Sequence, residues 1–315
     1  MSLQSEHRCN GFYYEEMVTT TLFLKSELKS IGFNSESKFQ RLQIVETEPF
    51  GKTLVIDDHT QSSALDEHVY HEALVHPVLL AHGNPKTVFI GGGGEGATAR
   101  EILRWKSVEK LVMCDIDEIA CKTCREQLPE WSEGVYEDPR FEIHYEDAFA
   151  FLQNWKGPKF DVIIMDICDP IEAGPGVVLY FQEFYQSIAR DKMTEGGVFV
   201  TQSGACGFLN YHEVFTTIHS TCRSSFEHVH AYSVDVPSFG CPWGYNMCYN
   251  SCAWPDAPSW DPAEVDRRLA AALGEEAAAA LHHYDGVSHR ALFHVPKMVR
   301  KAMAKETRVM TKDTP

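Results

Sequence analysis

Residues 88–100 read VFIGGGGEGATAR. A short apolar run, four consecutive glycines, an acid and a helix-forming segment follow one another without a spacer. Glycine lets the backbone approach a ligand closely at a tight turn. A strand that turns through glycines into a helix is the first unit of a nucleotide-binding α/β sheet. The segment therefore demands further strand–helix units after it, because a parallel sheet needs crossover connections.

The rest of the chain supplies them. After KTVFI and the helical ATAREILRWK come strand KLVMC, helix EIACKTCREQL, strand FEIHY, helix AFAFLQNW, strand DVIIMD, helix QEFYQSIARD and strand GVFVTQ. Helix HEVFTTIHSTCRSSF and strands HVHAYSV and YNMCYNSC complete the series. The alternation implies right-handed βαβ units and a doubly wound, Rossmann-like parallel sheet, with its ligand over the carboxyl ends of the strands. Residues 17–66 are instead rich in β-formers broken by the turn signals GFNSES, EPFG and DDHT, which predicts a small antiparallel sheet. A helix is expected over Asp66–Ala81, and HGNPK then marks a boundary. The expected fold class is α/β. Residues 1–82 would form an N-terminal β-sheet domain with a linking helix, and residues 83–315 a catalytic domain. Its C-terminal part, DPAEVDRRLAAALGEEAAAALHHY, reads as one helix on the domain surface.

Charge narrows the partners. The net charge is −17, and the last twenty residues carry six Lys/Arg against two Asp/Glu, so the remainder is more acidic still. Such a surface repels nucleic acid and anionic lipid and attracts polycations. No run of about 18 apolar residues is present, and the N-terminus lacks the pattern of a secretory signal, so a cytoplasmic location and no membrane partner are expected. Ten cysteines are scattered, with one CxxC, Cys121–Cys124, inside a predicted helix. Without a second pair at zinc spacing, these are read as buried thiols, and no metal is expected.

Five segments carry candidate chemistry. Glu95 lies inside the glycine loop, where a carboxylate would repel a pyrophosphate and favour a cofactor with a cationic end. Asp115, in MCDID, falls about 20 residues later, where an acid accepts hydrogen bonds from ribose hydroxyls. Asp117 is expected to cap the following helix. Asp147, in HYEDAF, suits either an adenine amino group or a helix N-cap. Asp166 and Asp169, in DVIIMDICDP, flank the central crevice and suit amines. A partly buried carboxylate there would take a proton from an ammonium. The loop after them, IEAGPGVV, has the composition of a lid. In QSSALDEHVYHEALVHP, His68, His71, Glu72 and His76 crowd one helix, but the spacing is not HExxH. Tyr70 and His71 are adjacent, so one is expected to face the core and the other the cleft.

The segments SKFQRLQIVE, GKTLVIDDHTQSS, DEHVYHEALVHP, NPKTVFIGGGGEGATARE, MCDIDE, EDAF, DVIIMDICDP and FVTQSG occur in this order over residues 37–252. Together they resemble the spermidine/spermine synthase family of aminopropyltransferases. The resemblance implies a class I methyltransferase-type sheet. It also implies decarboxylated S-adenosylmethionine as co-substrate, with no permanently bound cofactor, and a homodimer or homotetramer. The implied donor site comprises Gln40, His71, Gly92, Gly93, Glu95, Asp115, Ile116, Asp147 and Ala148. Glu95 would meet the amine of the aminopropyl group with Gln40 and His71, Asp115 the ribose, and Asp147 with Ala148 the adenine. Asp166 and Tyr70 would orient the attacking amine and take its proton. Gln61, Asp169, Gln202 and Trp243 would line the acceptor channel.

Within the family, YHEALVHP, TQSGACG and VPSFGCPWGYNM resemble the thermospermine synthases of plants and algae. Members that use putrescine carry DSSDP and an acid shortly after the glutamine of the fifth strand. Here the residues are Asp166-Ile167-Cys168-Asp169 and Gln202-Ser203-Gly204-Ala205, which implies spermidine rather than putrescine as acceptor. The alternatives are a spermidine synthase, a spermine synthase, a methyltransferase on the same fold, and a non-catalytic polyamine-binding homologue. Glu95 and Asp166 would repel the carboxylate of ordinary S-adenosylmethionine, which argues against the methyltransferase.

Overall fold

A computed structural model describes residues 11–170 and 175–313. These fall into two compact units: the described residues up to Glu67 together with Pro237–Gly240, and those of His68–Val236 and Cys241–Pro315. Residues 171–174 of the expected lid loop IEAGPGVV lie outside the described residues.

The first unit is an antiparallel meander of β1 (Tyr13–Thr19), β2 (Leu22–Glu36), β3 (Arg41–Thr47), β4 (Gly51–Ile56) and β5 (His59–Ser63), paired in that order. The DDHT signal becomes a two-residue hairpin between β4 and β5. Asp57 and Asp58 both have positive φ (48° and 68°), as a type I′ turn requires. The Asp57 carboxylate accepts the Arg41 N–H at 2.8 Å, tying the hairpin to the start of β3. Asp66 accepts both the N–H and the hydroxyl of Ser238 (2.7 and 2.8 Å), which holds Pro237–Gly240 in this unit.

The second unit begins with α1 (Glu67–His82). The boundary thus falls at 67/68 and not at 82/83, where HGNPK suggested it. Every residue from Tyr70 to Ala81 is buried, and the helix is bonded within this unit. Pro77 sits inside the helix and has no N–H for the Ala73 carbonyl. The Tyr232 hydroxyl supplies that missing donor at 3.1 Å. The Glu72 carboxylate accepts the backbone N–H groups of His282, His283 and Tyr284 at 2.7–2.8 Å, so α1 also anchors the C-terminal segment.

Then follow β6 (Thr87–Gly92), α2 (Ala97–Leu103), β7 (Lys110–Asp115), α3 (Glu118–Gln127), β8 (Phe141–Tyr145), α4 (Ala148–Asn154), β9 (Phe160–Asp166), α5 (Gln182–Ser187), β10 (Met193–Ala205), α6 (Phe215–Arg223), β11 (His228–Val236) and β12 (Cys241–Tyr249). The strands form one Rossmann-like sheet in the order β11-β12-β10-β9-β6-β7-β8. β8, β7, β6, β9 and β10 are parallel, but β12 is antiparallel to both β10 and β11. The sheet is therefore mixed rather than wholly parallel. β12 starts at Cys241, earlier than YNMCYNSC suggested, and the short connection left after β11 permits only a hairpin.

Phe89, Phe151, Phe160, Phe184, Tyr185 and Phe199 belong to one core cluster of this unit. Beyond the sheet, the segment expected as a single helix is two, α7 (Pro262–Leu273) and α8 (Glu275–Ala279). Gly274 breaks it with φ of 100° and ψ of 149°, outside the helical region and open to glycine. Helices α9 (Gly286–Leu292) and α10 (Lys297–Met303) complete the chain.

Candidate active site

The sheet reverses direction between β6 and β9. Chain order runs outward from β6 through β7 to β8, and in the other direction from β9 to β10. Ligands of open α/β sheets bind at the carboxyl ends of such a pair. Gly92, with φ of 83°, pairs with Asp166 at this edge, and the next N–H, of Gly93, donates to the Asp166 carbonyl at 2.9 Å. A Cβ on Gly92 would lie 2.1 Å from that carbonyl oxygen. The glycine is what lets the two strand ends close.

This closure places acids together. The Asp166 carboxylate accepts the Tyr70 hydroxyl on Oδ1 at 2.7 Å and the Thr98 hydroxyl on Oδ2 at 2.5 Å. His71 Nε2 lies 3.1 Å from Glu95 Oε1. Ligand atoms of His71, Glu95 and Asp166 all fall within 4.8 Å of one another, a geometry suited to holding a cationic group. Burial pushes the Asp166 carboxyl above its usual range, and the neighbouring Glu95 pushes it further. His71 and the two hydroxyls pull it back in part. Burial, then Asp166, hold the Tyr70 hydroxyl well above 10, so Tyr70 keeps its proton and acts as a donor.

Asp115 ends β7, where its Oδ1 accepts the Asp117 N–H at 2.8 Å. Burial pushes its carboxyl up to about 6, against the pull of that N–H and with the added repulsion of Glu95. A Cβ on Gly94 would lie 2.9 Å from Asp115 Oδ2, so the glycine loop and the β7 acid are close neighbours. Ile116 is half-buried between Asp115 and Asp117. Asp117 caps α3 as expected, accepting the N–H groups of Ile119 and Ala120. Asp147 caps α4 through the Ala150 N–H at 2.7 Å, and Ala148 is the buried first residue of that helix.

A second cluster adjoins Asp169. Gln202 is buried on β10, and its Nε2 donates to Asp169 Oδ1 at 2.9 Å. Trp243 Nε1 donates to Gln202 Oε1 at 3.1 Å from the neighbouring strand β12. Gln40 and Gln61 belong to the first unit. The Gln40 N–H donates to Ser37 Oγ, and Gln61 Nε2 to the His59 carbonyl.

Two residues of this site are not among the candidates named from sequence. Thr98 is one of many threonines, and only the turn from β6 into α2 brings it to Asp166. Tyr180 follows the loop IEAGPGVV by two residues, and it reaches the carbonyls of Ile167 and Cys168.

Tyr70 and His71 are expected from sequence to divide between core and cleft; both are buried, and their side chains meet Asp166 and Glu95 respectively. A helix covered on all sides has no solvent face to spare. The imidazoles and acid of α1 fan out. His71 meets Glu95, Glu72 takes backbone N–H groups, His76 accepts the Trp105 Nε1–H, and the His68 ring lies 4.9 Å from that of His282. Cys121 and Cys124 are buried thiols, as read from sequence, and burial raises both well above the usual thiol value.

Residues 67–253 match the family described as the spermine/spermidine synthase domain, and residues 13–63 the spermidine synthase tetramerisation domain. A polyamine aminopropyltransferase from Synechococcus sp. (strain JA-2-3B'a(2-13)) is 41% identical, with 96% of each chain covered. Thermospermine synthase ACAULIS5 of Arabidopsis thaliana is 39% identical over 96% of this chain and 86% of its own length. A crystal structure of a spermidine synthase in complex with the transition-state analogue AdoDATO superposes with a TM-score of 0.83. It is 29% identical and covers 97% of this chain and 98% of its own.

Proposed function

Because the chain belongs to the spermine/spermidine synthase family, we propose that it is a polyamine aminopropyltransferase that converts spermidine and decarboxylated S-adenosylmethionine to thermospermine and 5′-methylthioadenosine. The observation that carries the transfer reaction is the convergence of Glu95, His71, Asp166 and Tyr70 at the β6/β9 edge. A neighbouring acid, Asp115, suits the ribose of the donor, and Asp147 with Ala148 its adenine. The family resemblance also assigns Gly92, Gly93, Ile116 and Gln40 to the donor.

The donor's sulfonium makes the adjacent carbon electrophilic and its thioether a good leaving group. The acceptor nitrogen attacks that carbon, the new C–N bond forms as the C–S bond breaks, and one proton leaves the nitrogen. The enzyme's tasks are alignment and deprotonation. Alignment can contribute about 7–11 kcal/mol. An amine titrating near 10.4 costs roughly 4–5 kcal/mol to deprotonate at pH 7. Asp166 is the base in this reading, supported by its raised carboxyl pKa. Tyr70 orients it. Gln61, Asp169, Gln202 and Trp243 line the acceptor side. The donor's lack of a carboxylate suits a site where Glu95 and Asp166 already repel anions.

Spermidine as acceptor is supported by the Arabidopsis relative and by the sequence Gln202-Ser203-Gly204-Ala205, which places no acid after the glutamine. A homo-oligomer is supported by the match of residues 13–63 and by the exposed apolar pair Met17 and Phe23 on β1 and β2. A cytoplasmic location belongs to the same proposal. Among the described residues no helix is long and apolar enough to cross a membrane.

The test is product analysis. Purified protein is incubated with decarboxylated S-adenosylmethionine and either putrescine or spermidine, and the tetraamines are separated by chromatography that resolves thermospermine from spermine. Thermospermine from spermidine, with little turnover of putrescine, is the expected result. Spermidine from putrescine would keep the chemistry and overturn the acceptor.

A further inference from the structure

We infer that Tyr180 is a positioning residue for the acceptor side of the site, acting through Gln202 on Asp169. The inference rests on the functional reading above. Tyr180 lies on no motif, but its ring is fully buried and its hydroxyl stands at a junction. The hydroxyl lies 3.2 Å from the Ile167 carbonyl and 3.1 Å from the Cys168 carbonyl, the two residues between Asp166 and Asp169. Its single proton goes to these carbonyls. Its oxygen then accepts from Gln202 Nε2, 2.6 Å away.

That arrangement fixes which way the Gln202 amide points. Two donors, the Gly204 N–H at 2.9 Å and Trp243 Nε1 at 3.1 Å, converge on Gln202 Oε1. Three acceptors, the Tyr180 oxygen, Asp169 Oδ1 and the Ile167 carbonyl, face Nε2. A flipped amide would set donor against donor and acceptor against acceptor, each a buried mismatch. Gln202 can therefore present only an N–H to Asp169, and this holds the carboxylate in one pose. Deleting the Tyr180 hydroxyl removes one of the three acceptors and frees the Cys168 carbonyl, while the Ile167 carbonyl keeps only Gln202 Nε2, so the amide is held by fewer partners. The donor-side groups Glu95 and Asp115 share none of these bonds. The consequence is selective: acceptor binding weakens and donor binding does not.

The experiment uses full-length Tyr180→Phe, which keeps the ring and deletes only the hydroxyl. Steady-state kinetics are measured with whichever of spermidine and putrescine the wild-type protein uses, and 5′-methylthioadenosine binding is measured by calorimetry. The acceptor KM is expected to rise about tenfold, with kcat within about twofold and the Kd for 5′-methylthioadenosine unchanged. Trp243→Phe removes the opposing donor and reports on the same amide even if Tyr180→Phe folds poorly. The two changes together should raise KM by less than the product of their separate effects. An unchanged acceptor KM in Tyr180→Phe, or equal losses in acceptor and 5′-methylthioadenosine affinity, overturns the inference while leaving the functional reading in place. Strictly multiplicative effects of the two substitutions also overturn it. Wild-type protein that transfers to neither polyamine overturns the functional reading and this inference with it.

Discussion

The Tyr70 hydroxyl donates to Asp166 Oδ1 at 2.7 Å across 96 positions of sequence. Thr98 holds the other oxygen of the same carboxylate. Both hydroxyls favour the ionised acid, so both lower a pKa that burial and Glu95 raise. Removing either one should let that pKa climb. Tyr70→Phe is expected to move the acidic limb of kcat/KM to higher pH and to reduce kcat by about one to two orders of magnitude. Thr98→Val should shift the same limb in the same direction with Tyr70 intact. A pH–rate profile of each variant checks this, and an unmoved limb in both would remove Asp166 as the titrating base.

Asp166→Asn keeps the shape of the side chain and deletes the base. The expected loss in kcat is about 10²–10⁴-fold, with 5′-methylthioadenosine still bound. Single-turnover measurement separates the chemical step from binding. Near-normal kcat across the pH range would show that another group takes the proton.

Asp115 carries an opposite lesson about stability. Its carboxyl is held up to about 6 in the folded chain, above the unfolded value of about 3.9. Between those values the folded state binds the extra proton, so Asp115 costs increasing stability as pH rises from about 4 to about 6, and the cost is constant above that. Asp115→Asn keeps an acceptor for the Asp117 N–H and removes the charge. It should raise stability by about 1–2 kcal/mol at neutral pH while weakening donor affinity. In the wild type, donor affinity should also fall as pH drops through about 6. Thermal melts and calorimetry of the variant against wild type decide this, and a lower Tm for Asp115→Asn would refute it.

Glu101 is fully buried on α2, the helix that follows the glycine loop. It pairs with Arg100 at 2.8 Å, Arg104 at 2.9 Å and His76 Nε2 at 3.3 Å. Burial pushes its carboxyl up, but His76 and then the two arginines outweigh burial and hold it far below the usual range. Stability from this group is therefore fully present above about 4.5 and is lost as pH falls toward the depressed value. Glu101→Gln strands two guanidinium groups and should cost about 3–5 kcal/mol. Urea unfolding at neutral pH measures it, and a loss under 1 kcal/mol would mean that the arginines find other partners.

Much of the architecture was legible in the chain because its signals are local. The strand, the four glycines and the helix at 88–100 had to form the first unit of a sheet, since few other structures accept that order. Asp115 and Asp166 each end a strand and Asp147 lies two residues beyond one, so their position at one edge follows once the strands are parallel. Asp117 as a helix cap was a matter of its immediate neighbours. The break at Gly274 was present in the sequence but outweighed by the alanines around it.

What only the tertiary structure decided is partnership across distance. Pairing depends on where elements pack, and no local propensity encodes that. Helix α1 reads as a linker to the first sheet, yet it groups with the second unit, where Tyr232 and the backbone of residues 282–284 bond to it. Tyr232 completes the helix that Pro77 would weaken. Thr98 lies in the glycine motif and Tyr180 beside the loop IEAGPGVV, but only packing makes them part of the site, through single hydroxyl groups. The sequence determined which side chains were available at the strand ends, because strand and turn propensities act over a few residues. The fold determined which of them share a proton or a hydrogen bond, because those bonds form only over about 3 Å and only packing brings residues so far apart in sequence that close.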